Sequence, residues 1–376
     1  MAGVNAPVTR PAEPAAMDPA VSAKLRALAM VGMMMVVVGH APSYRDPSAP
    51  SDRSFGYAFG EFLLTDALPR IVVMMFFTIA GYLLFWGHDG SAATWRRKLA
   101  ARTRSLAVPY LVWSALGIGM YFVLQTLPWT RSWFENSARL VVGRSAGELL
   151  QTWLVDPIVY QLWFLRDLYL LVVLGPLLGF ALSRFGWFVP CALVVPYWFD
   201  VYVPSHLPDV RLMTGDCYFF FALGSACAVR RWQPRIAPWL GWLLVVATLA
   251  LAVGRAFDLA NGHRDRSAPS FLPWWKSVHL VGVPALWFAY DRWLRWLERP
   301  FWLAVGSLSF FVFVAHEPLM TTIRKPLTKA LGTGDLRHAT QCVLSLVLTL
   351  AVVLGAGALL RRVLPRVFAF LCGGRA

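Results

Sequence analysis

The stretch "MVGMMMVVVGH", Met30–His40, decides how the rest of the chain is read. Its uncharged residues suit the interior of a bilayer. It closes on a histidine, whose imidazole is costly to desolvate and exchanges a proton near neutral pH. Arg26 begins the same helix, 14 residues before His40. At 100° per residue that is about 40° short of four turns, so the two share one face about 21 Å apart, with Lys24 on the opposite face. A charge at each end of one face describes a helix lining a path through a membrane. An arginine snorkelling to the cytoplasmic surface explains Arg26 equally well.

The composition supports a membrane reading. The chain has 376 residues, 58% of them hydrophobic and only 15% charged, with 18 Trp, whereas soluble domains are nearer half apolar and a quarter charged. A net charge of +15 invites a nucleic-acid partner, but that needs basic residues gathered on a polar face. Here they fall in short gaps between apolar runs, the distribution of a topology signal, and no nucleic-acid partner is expected. The cysteines Cys191, Cys217, Cys227, Cys342 and Cys372 form no CxxC pair and no zinc-type spacing. They read as small apolar residues, and no metal is expected.

Residues 1–24, rich in Ala and Pro, read as a disordered cytoplasmic tail without the core or cleavage site of a signal peptide. Residues 25–364 read as one transmembrane domain and 365–376 as a cytoplasmic tail. About 20 mostly apolar residues cross a bilayer as a helix. Ten candidate spans centre on Met34, Thr78, Gly117, Val172, Val194, Leu223, Val246, Val283, Phe311 and Leu350, the fifth and sixth being short. With a cytoplasmic N-terminus, every even-numbered span should be followed by a basic loop. "RRKLAARTR" (96–104), "SRFG" (183–186), "RRWQPR" (230–235), "DRWLRWLER" (291–299) and the tail "RRVLPR" (361–366) all are. The opposite loops, 41–70 and 129–156, mix both signs. The expected fold class is therefore an all-α integral membrane protein, a polytopic bundle of about ten transmembrane helices. Both termini are expected to be cytoplasmic, and the location the plasma (inner) membrane.

This orientation places the intramembrane ionisable residues by depth. His40, Arg166 and Asp167 in "QLWFLRDLYLL", Asp200, Asp216, His279, and His316 with Glu317 in "FVFVAHEPLM" all fall in the outer layer, from six helices. Buried ionisable groups need partners or water, so a polar, partly hydrated cavity is expected there. Taken singly, His279 reads as a satisfied or interfacial histidine, and Asp200 and Asp216 as solvated. Arg166–Asp167 reads equally as a structural ion pair, and His316–Glu317 as a bonded pair at a helix end.

Five stretches, in this order, resemble the acyltransferase 3 family of membrane acyltransferases. The first is the opening helix, with a basic residue, an apolar run and a terminal histidine. It is followed by "FFTIAGYLLF" (76–85), "RTRSLAVPYLVW" (102–113), "LWFLRDLYLL" (162–171) and "VGSLSFFVFVAHEPLM" (305–320). The likeness covers nearly the whole span region, and its strength lies in the fixed order. It implies transfer of an acyl group, commonly acetyl, from acyl-coenzyme A to a hydroxyl of an envelope carbohydrate or glycolipid. No bound cofactor is implied, with the acyl-CoA serving as co-substrate. The family's essential histidine matches His40, its first-span arginine Arg26, and its loop pair Arg102 and Arg104, which would bind the donor. Arg26 stands about one turn further from the histidine than is usual, and Ala80 stands where Ser is common.

The chemistry is coherent. A base titrating near 7 can take the proton of a weakly nucleophilic hydroxyl as it attacks a thioester, or His40 can accept the acyl group itself. Guanidinium groups bind phosphates in a fork. Arg166, Asp167, His316 and Glu317 are the candidates for supporting the acceptor or the oxyanion. The alternative is a transporter or flippase for a glycan or lipid-linked substrate, but no repeat relates the two halves. No Walker loop, HExxH helix or GxSxG elbow is present.

Overall fold

The computed structural model describes residues 17–42, 53–134, 139–204, 211–262 and 271–375. Residues 1–16 of the expected tail lie outside them. The first helix, α1 (Pro19–His40), begins where Asp18 accepts a bond from the Ala20 amide at 2.9 Å and Pro19 supplies a preset φ. Helix α2 (Phe55–Phe62) runs through a π turn (Leu63–Ala67) into α3 (Leu68–Phe85). Helix α4 (Ala92–Arg102) runs through another (Thr103–Ala107) into α5 (Val108–Thr126). Short α6 (Pro128–Arg131) and α7 (Ala146–Leu154) lead to α8 (Trp163–Val173) and α9 (Gly175–Phe185). Then come α10 (Phe188–Trp198), α11 (Gly215–Val229), α12 (Pro238–Ala260) and α13 (Phe271–Ala289). Helices α14 (Pro300–Ser307), α15 (Ser309–Leu331), α16 (Asp335–Val363) and α17 (Pro365–Leu371) complete the chain. The strands among the described residues are Val203–Pro204 and Arg211–Leu212, paired antiparallel.

Among the described residues, five segments are long and apolar enough to cross a membrane: Pro19–His40, Phe55–Phe85, Ala92–Thr126, Pro238–Ala260 and Asp335–Val363. Two bent pairs raise the number to seven: Tyr160–Val173 with Gly175–Phe185, at 57°, and Pro300–Ser307 with Ser309–Leu331, at 55°. The chain is thus almost wholly helical, with the several membrane-capable helices of a polytopic membrane protein. Each of the ten expected centres falls inside a helix, but several of those helices are broken or short. The helix around Val172 breaks beside Pro176, which cannot donate to the turn before it. Helices α10 and α11, with 11 and 15 residues, cannot span a full bilayer as straight helices.

Helix α3 is the hub, packed on α1, α11 and α13. Its crossing with α11 requires glycine on both sides. A β-carbon on Gly81 would overlap the Phe221 carbonyl, and one on Gly224 the Thr78 carbonyl. Small residues let membrane helices approach this closely, and dispersion then does the work that the hydrophobic effect does in water. Lys24 is buried, its ammonium 2.6 Å from the Asp291 carboxylate and 3.8 Å above the Trp287 ring.

Candidate active site

One stripe of α1 faces a cavity. Ala29, Met33, Val36 and His40 recur at the three-and-four spacing of a single helical face and line a space of about 280 Å³. The other walls come from α3, α8, α15 and the turn between α4 and α5, and they are apolar: Val73, Phe76, Phe164, Leu168, Phe313. The polar ends decide what the space can do. His40 stands at one end of the stripe; Arg102 and Arg375 also line the cavity, and among the described residues no carboxylate does. From Ala29 to His40 the helix rises about 16 Å.

The imidazole is held by groups from two other elements. Its Nδ1 lies 2.7 Å from the Tyr160 hydroxyl, which donates to Glu317 Oε1 at 3.3 Å. Tyr160 has one proton. With that proton given to a carboxylate, the tyrosine oxygen accepts from Nδ1–H, and Nε2 carries the lone pair a base needs. The tyrosine ring meets the imidazole edge-on at 4.9 Å, and the Arg139 guanidinium lies over its face at 4.1 Å.

Glu317 reaches this position because α15 is kinked there. The residue before a proline is pushed out of the α region, and Glu317, preceding Pro318, has φ −108° and ψ 139° inside an otherwise helical run. Its freed carbonyl accepts from Gln161 Nε2 at 3.1 Å, and its carboxylate from the Thr321 amide at 3.2 Å. His316 stacks on His40, centroids 5.4 Å apart, and its Nδ1 bonds the Val312 carbonyl at 3.0 Å. Its buried Nε2 has no partner among the described residues. One turn beyond Thr321 contacts, Arg324 donates to the His40 carbonyl at 2.8 Å and to the Pro42 carbonyl at 3.4 Å. A cation there completes the orphan carbonyls at the end of α1.

The other expected residues are placed differently. Arg26 lies on the cavity stripe one turn before Ala29, exposed, with Nη1 on the Ser22 hydroxyl at 2.8 Å. Arg104 is exposed and does not line the cavity. Arg166 and Asp167 pair at 2.8 Å, and both are spent on backbone: Arg166 on the Val155 and Arg211 carbonyls, Asp167 on the Met213 amide at 3.1 Å. They fasten the short β-ladder to α8 and do not line the His40 cavity.

Asp200 and Asp216 meet on a fully buried lysine that the sequence reading passed over. Lys276 Nζ lies 2.9 Å from Asp200 and 2.8 Å from Asp216, and His279 Nδ1 lies 3.3 Å from Asp216. The expected single polar layer is therefore three groups: the Arg166–Asp167 pair, the acids around Lys276, and His40 with His316 and Glu317.

Arg375 also went unnoticed, standing behind two glycines near the end of the chain. Its Nη1 donates to the Ser105 carbonyl at 2.9 Å and the Cys372 carbonyl at 3.0 Å, and its guanidinium covers the Phe310 ring at 3.9 Å. Burial, and then the like charge of Arg102, push its pKa down to about 10, which leaves it cationic at neutral pH. Tyr160 was equally invisible, because it sits in a single 3₁₀ turn (Tyr160–Leu162) with no periodicity to mark it.

A histidine-ended apolar passage with guanidinium groups also on its walls suits a membrane-embedded acyl-transferring enzyme. The chain belongs to the acyltransferase 3 family, whose acyltransferase domain matches residues 25–361, and it is an acyltransferase. It is also similar to the succinoglycan biosynthesis protein ExoH of Rhizobium meliloti (strain 1021), at 24% identity over 380 residues covering 96% of this chain and 94% of that one. No solved structure matches it significantly.

Proposed function

We propose that the protein transfers an acyl group, acetyl in the simplest case, from cytosolic acyl-CoA to a hydroxyl of an envelope polysaccharide or its lipid-linked precursor. One observation carries this: a single apolar cavity is lined by both His40 and Arg102. The similarity to a succinoglycan biosynthesis protein supports a polysaccharide acceptor. The basic loops support an arrangement with both ends of the chain cytoplasmic, about ten crossings, and His40 near the outer surface of the plasma membrane.

In this reading the donor enters at the inner mouth. Arg102 binds phosphate there, and Arg26, one turn outside, adds positive charge; Arg104 is a rim charge. The acyl thioester extends along α1 to His40. The acceptor hydroxyl arrives from outside, and Nε2 of His40 takes its proton as the oxygen attacks the thioester carbonyl. The C–S bond breaks, the proton passes to the leaving thiolate, and the thiol withdraws by the way it came. An acyl-histidine intermediate would use the same nitrogen as nucleophile. His316 Nε2, stacked beside the base, accepts from the acceptor sugar, and Tyr160 and Glu317 hold the tautomer. Arg166 and Asp167 act only by fixing the fold around α8.

The test is His40→Gln beside His40→Ala. Gln keeps a hydrogen-bonding group but cannot titrate, so both variants should lose about 10²–10⁴-fold in rate at normal abundance. Comparing envelope glycans of a deletion strain with its parent by mass spectrometry should reveal a difference of one acyl unit. Half-maximal activity in His40→Gln would remove the base role.

A further inference from the structure

We propose that Arg375 is the second half of an anion clamp, closing with Arg102 on the diphosphate of the coenzyme A donor at the inner mouth of the cavity. The proposal rests on the acyl-CoA reading above and assigns a residue to it that lies beyond the matched domain, residues 25–361.

Two cations have been brought together where the described residues offer no counter-ion. Arg102 and Arg375 line the same mostly apolar space, no Asp or Glu lines it, and neither has an acidic partner among the described residues. Desolvating two like charges side by side is unfavourable unless an anion joins them. Among the described residues, the hydrogen bonds of Arg375 to protein leave from Nη1, which keeps Nη2 and Nε for a ligand. Stacking on Phe310 fixes the plane of the guanidinium, and a fixed planar fork is the geometry that reads phosphate oxygens in pairs.

The local sequence is built to put that arginine there. In "CGGR", 372–375, Gly373 has φ +65° and Gly374 φ +82°, the left-handed region that side chains disfavour. A β-carbon on Gly373 would lie 2.7 Å from Ser105 Cα and 2.9 Å from the Arg104 carbonyl. The chain thus reverses after α17 and seats tightly on the turn that follows Arg102. The lining stripe of α1, from Ala29 to His40, rises about 16 Å. A phosphate held at the inner mouth leaves the thioester of an extended pantetheine arm near the base.

The experiment compares acetyl-CoA with S-acetylpantetheine, which has the same arm and thioester but no phosphate, using the full-length enzyme in detergent. Arg375→Met keeps the apolar stem on Phe310 and removes the fork. The ratio of kcat/KM for acetyl-CoA over acetylpantetheine should fall by about 10- to 100-fold, the effect of losing a charge-assisted hydrogen bond. The loss should appear in the KM for acetyl-CoA, and Arg375→Lys should restore part of it. Gly373→Val, which displaces the turn without touching the charge, should lower the same ratio. An unchanged ratio in Arg375→Met, whether both donors suffer equally or neither does, would reduce Arg375 to a brace for the turn and overturn the clamp. A wild-type enzyme that uses neither thioester would remove the donor reading itself, and the clamp with it.

Discussion

Tyr160→Phe isolates the hydroxyl that bridges His40 and Glu317 and, in the proposed mechanism, holds the His40 tautomer. The substitution keeps the ring, its edge-on contact at 4.9 Å and its place under Arg139. It deletes one oxygen that bridges His40 Nδ1 at 2.7 Å and Glu317 Oε1 at 3.3 Å. Without the bridge, nothing in this pair favours the proton on Nδ1 over Nε2. One hydrogen bond with a charged partner is worth about 1.5–3 kcal/mol, so kcat should drop by roughly 10- to 100-fold while the donor KM stays put. Release of free thiol by purified protein, followed with a thiol reagent in the presence of acceptor, measures both parameters. Glu317→Gln tests the relay further. If tyrosine and carboxylate act as a unit, the double variant should be scarcely worse than either single one. Activity of Tyr160→Phe within twofold of wild type, or strictly multiplicative losses in the double variant, would refute the relay.

Three further outcomes are expected. In a cysteine-free background, Ser132→Cys should react with an impermeant thiol reagent in intact cells and Arg96→Cys should not; the reverse would turn the molecule over and put His40 on the wrong side. Lys24→Ala should lower the melting temperature by the equivalent of about 1 kcal/mol, since the Asp291 it abandons is half-exposed, while Arg26→Ala should stay within about 0.5 kcal/mol; equal shifts would mean that the burial of Lys24 carries no stability. Gly224→Ala forces a β-carbon onto the Thr78 backbone, and overpacking of this kind costs about 1–3 kcal/mol, so the yield of folded protein and its melting temperature should both fall.

The apolar runs of α1, α3, α5, α12 and α16 were legible because a bilayer demands an uninterrupted length of non-polar side chains. The breaks after Val173 and at Leu308 were not, because hydropathy registers polarity and ignores the backbone bends that divide a run. His40 was legible by contrast, as a titratable group closing a run of methionine and valine. Its companions His316 and Glu317 stood out likewise, although their meeting with Tyr160 depends on a kink that only the following proline hints at.

Pairings over long separations left no trace in the sequence. Lys276 joins acids 60 and 76 residues away, and Arg324 reaches the end of α1 across 284 residues. Arg26 and Lys24 were placed on opposite faces by angle alone. That was sufficient for direction, but angle alone could not say that the lysine finds Asp291 and is the buried one of the two.

The phenylalanine walls of the passage have an electrical consequence. In the proposed orientation, a path leading from the cytosol towards a protonatable residue near the far surface would be a leak if it filled with water. Phe164 packs against Phe76 and Phe313, each at 5.9 Å between ring centres, and hydrocarbon rings offer water no hydrogen-bond partners at that level. Dry constrictions oppose ion passage much as a closed hydrophobic gate does. An acyl arm threading the collar would replace that insulation with its own bulk. On the proposed donor and orientation, such a collar would let a bond on one side of the bilayer be served from a donor on the other without discharging the membrane that separates them.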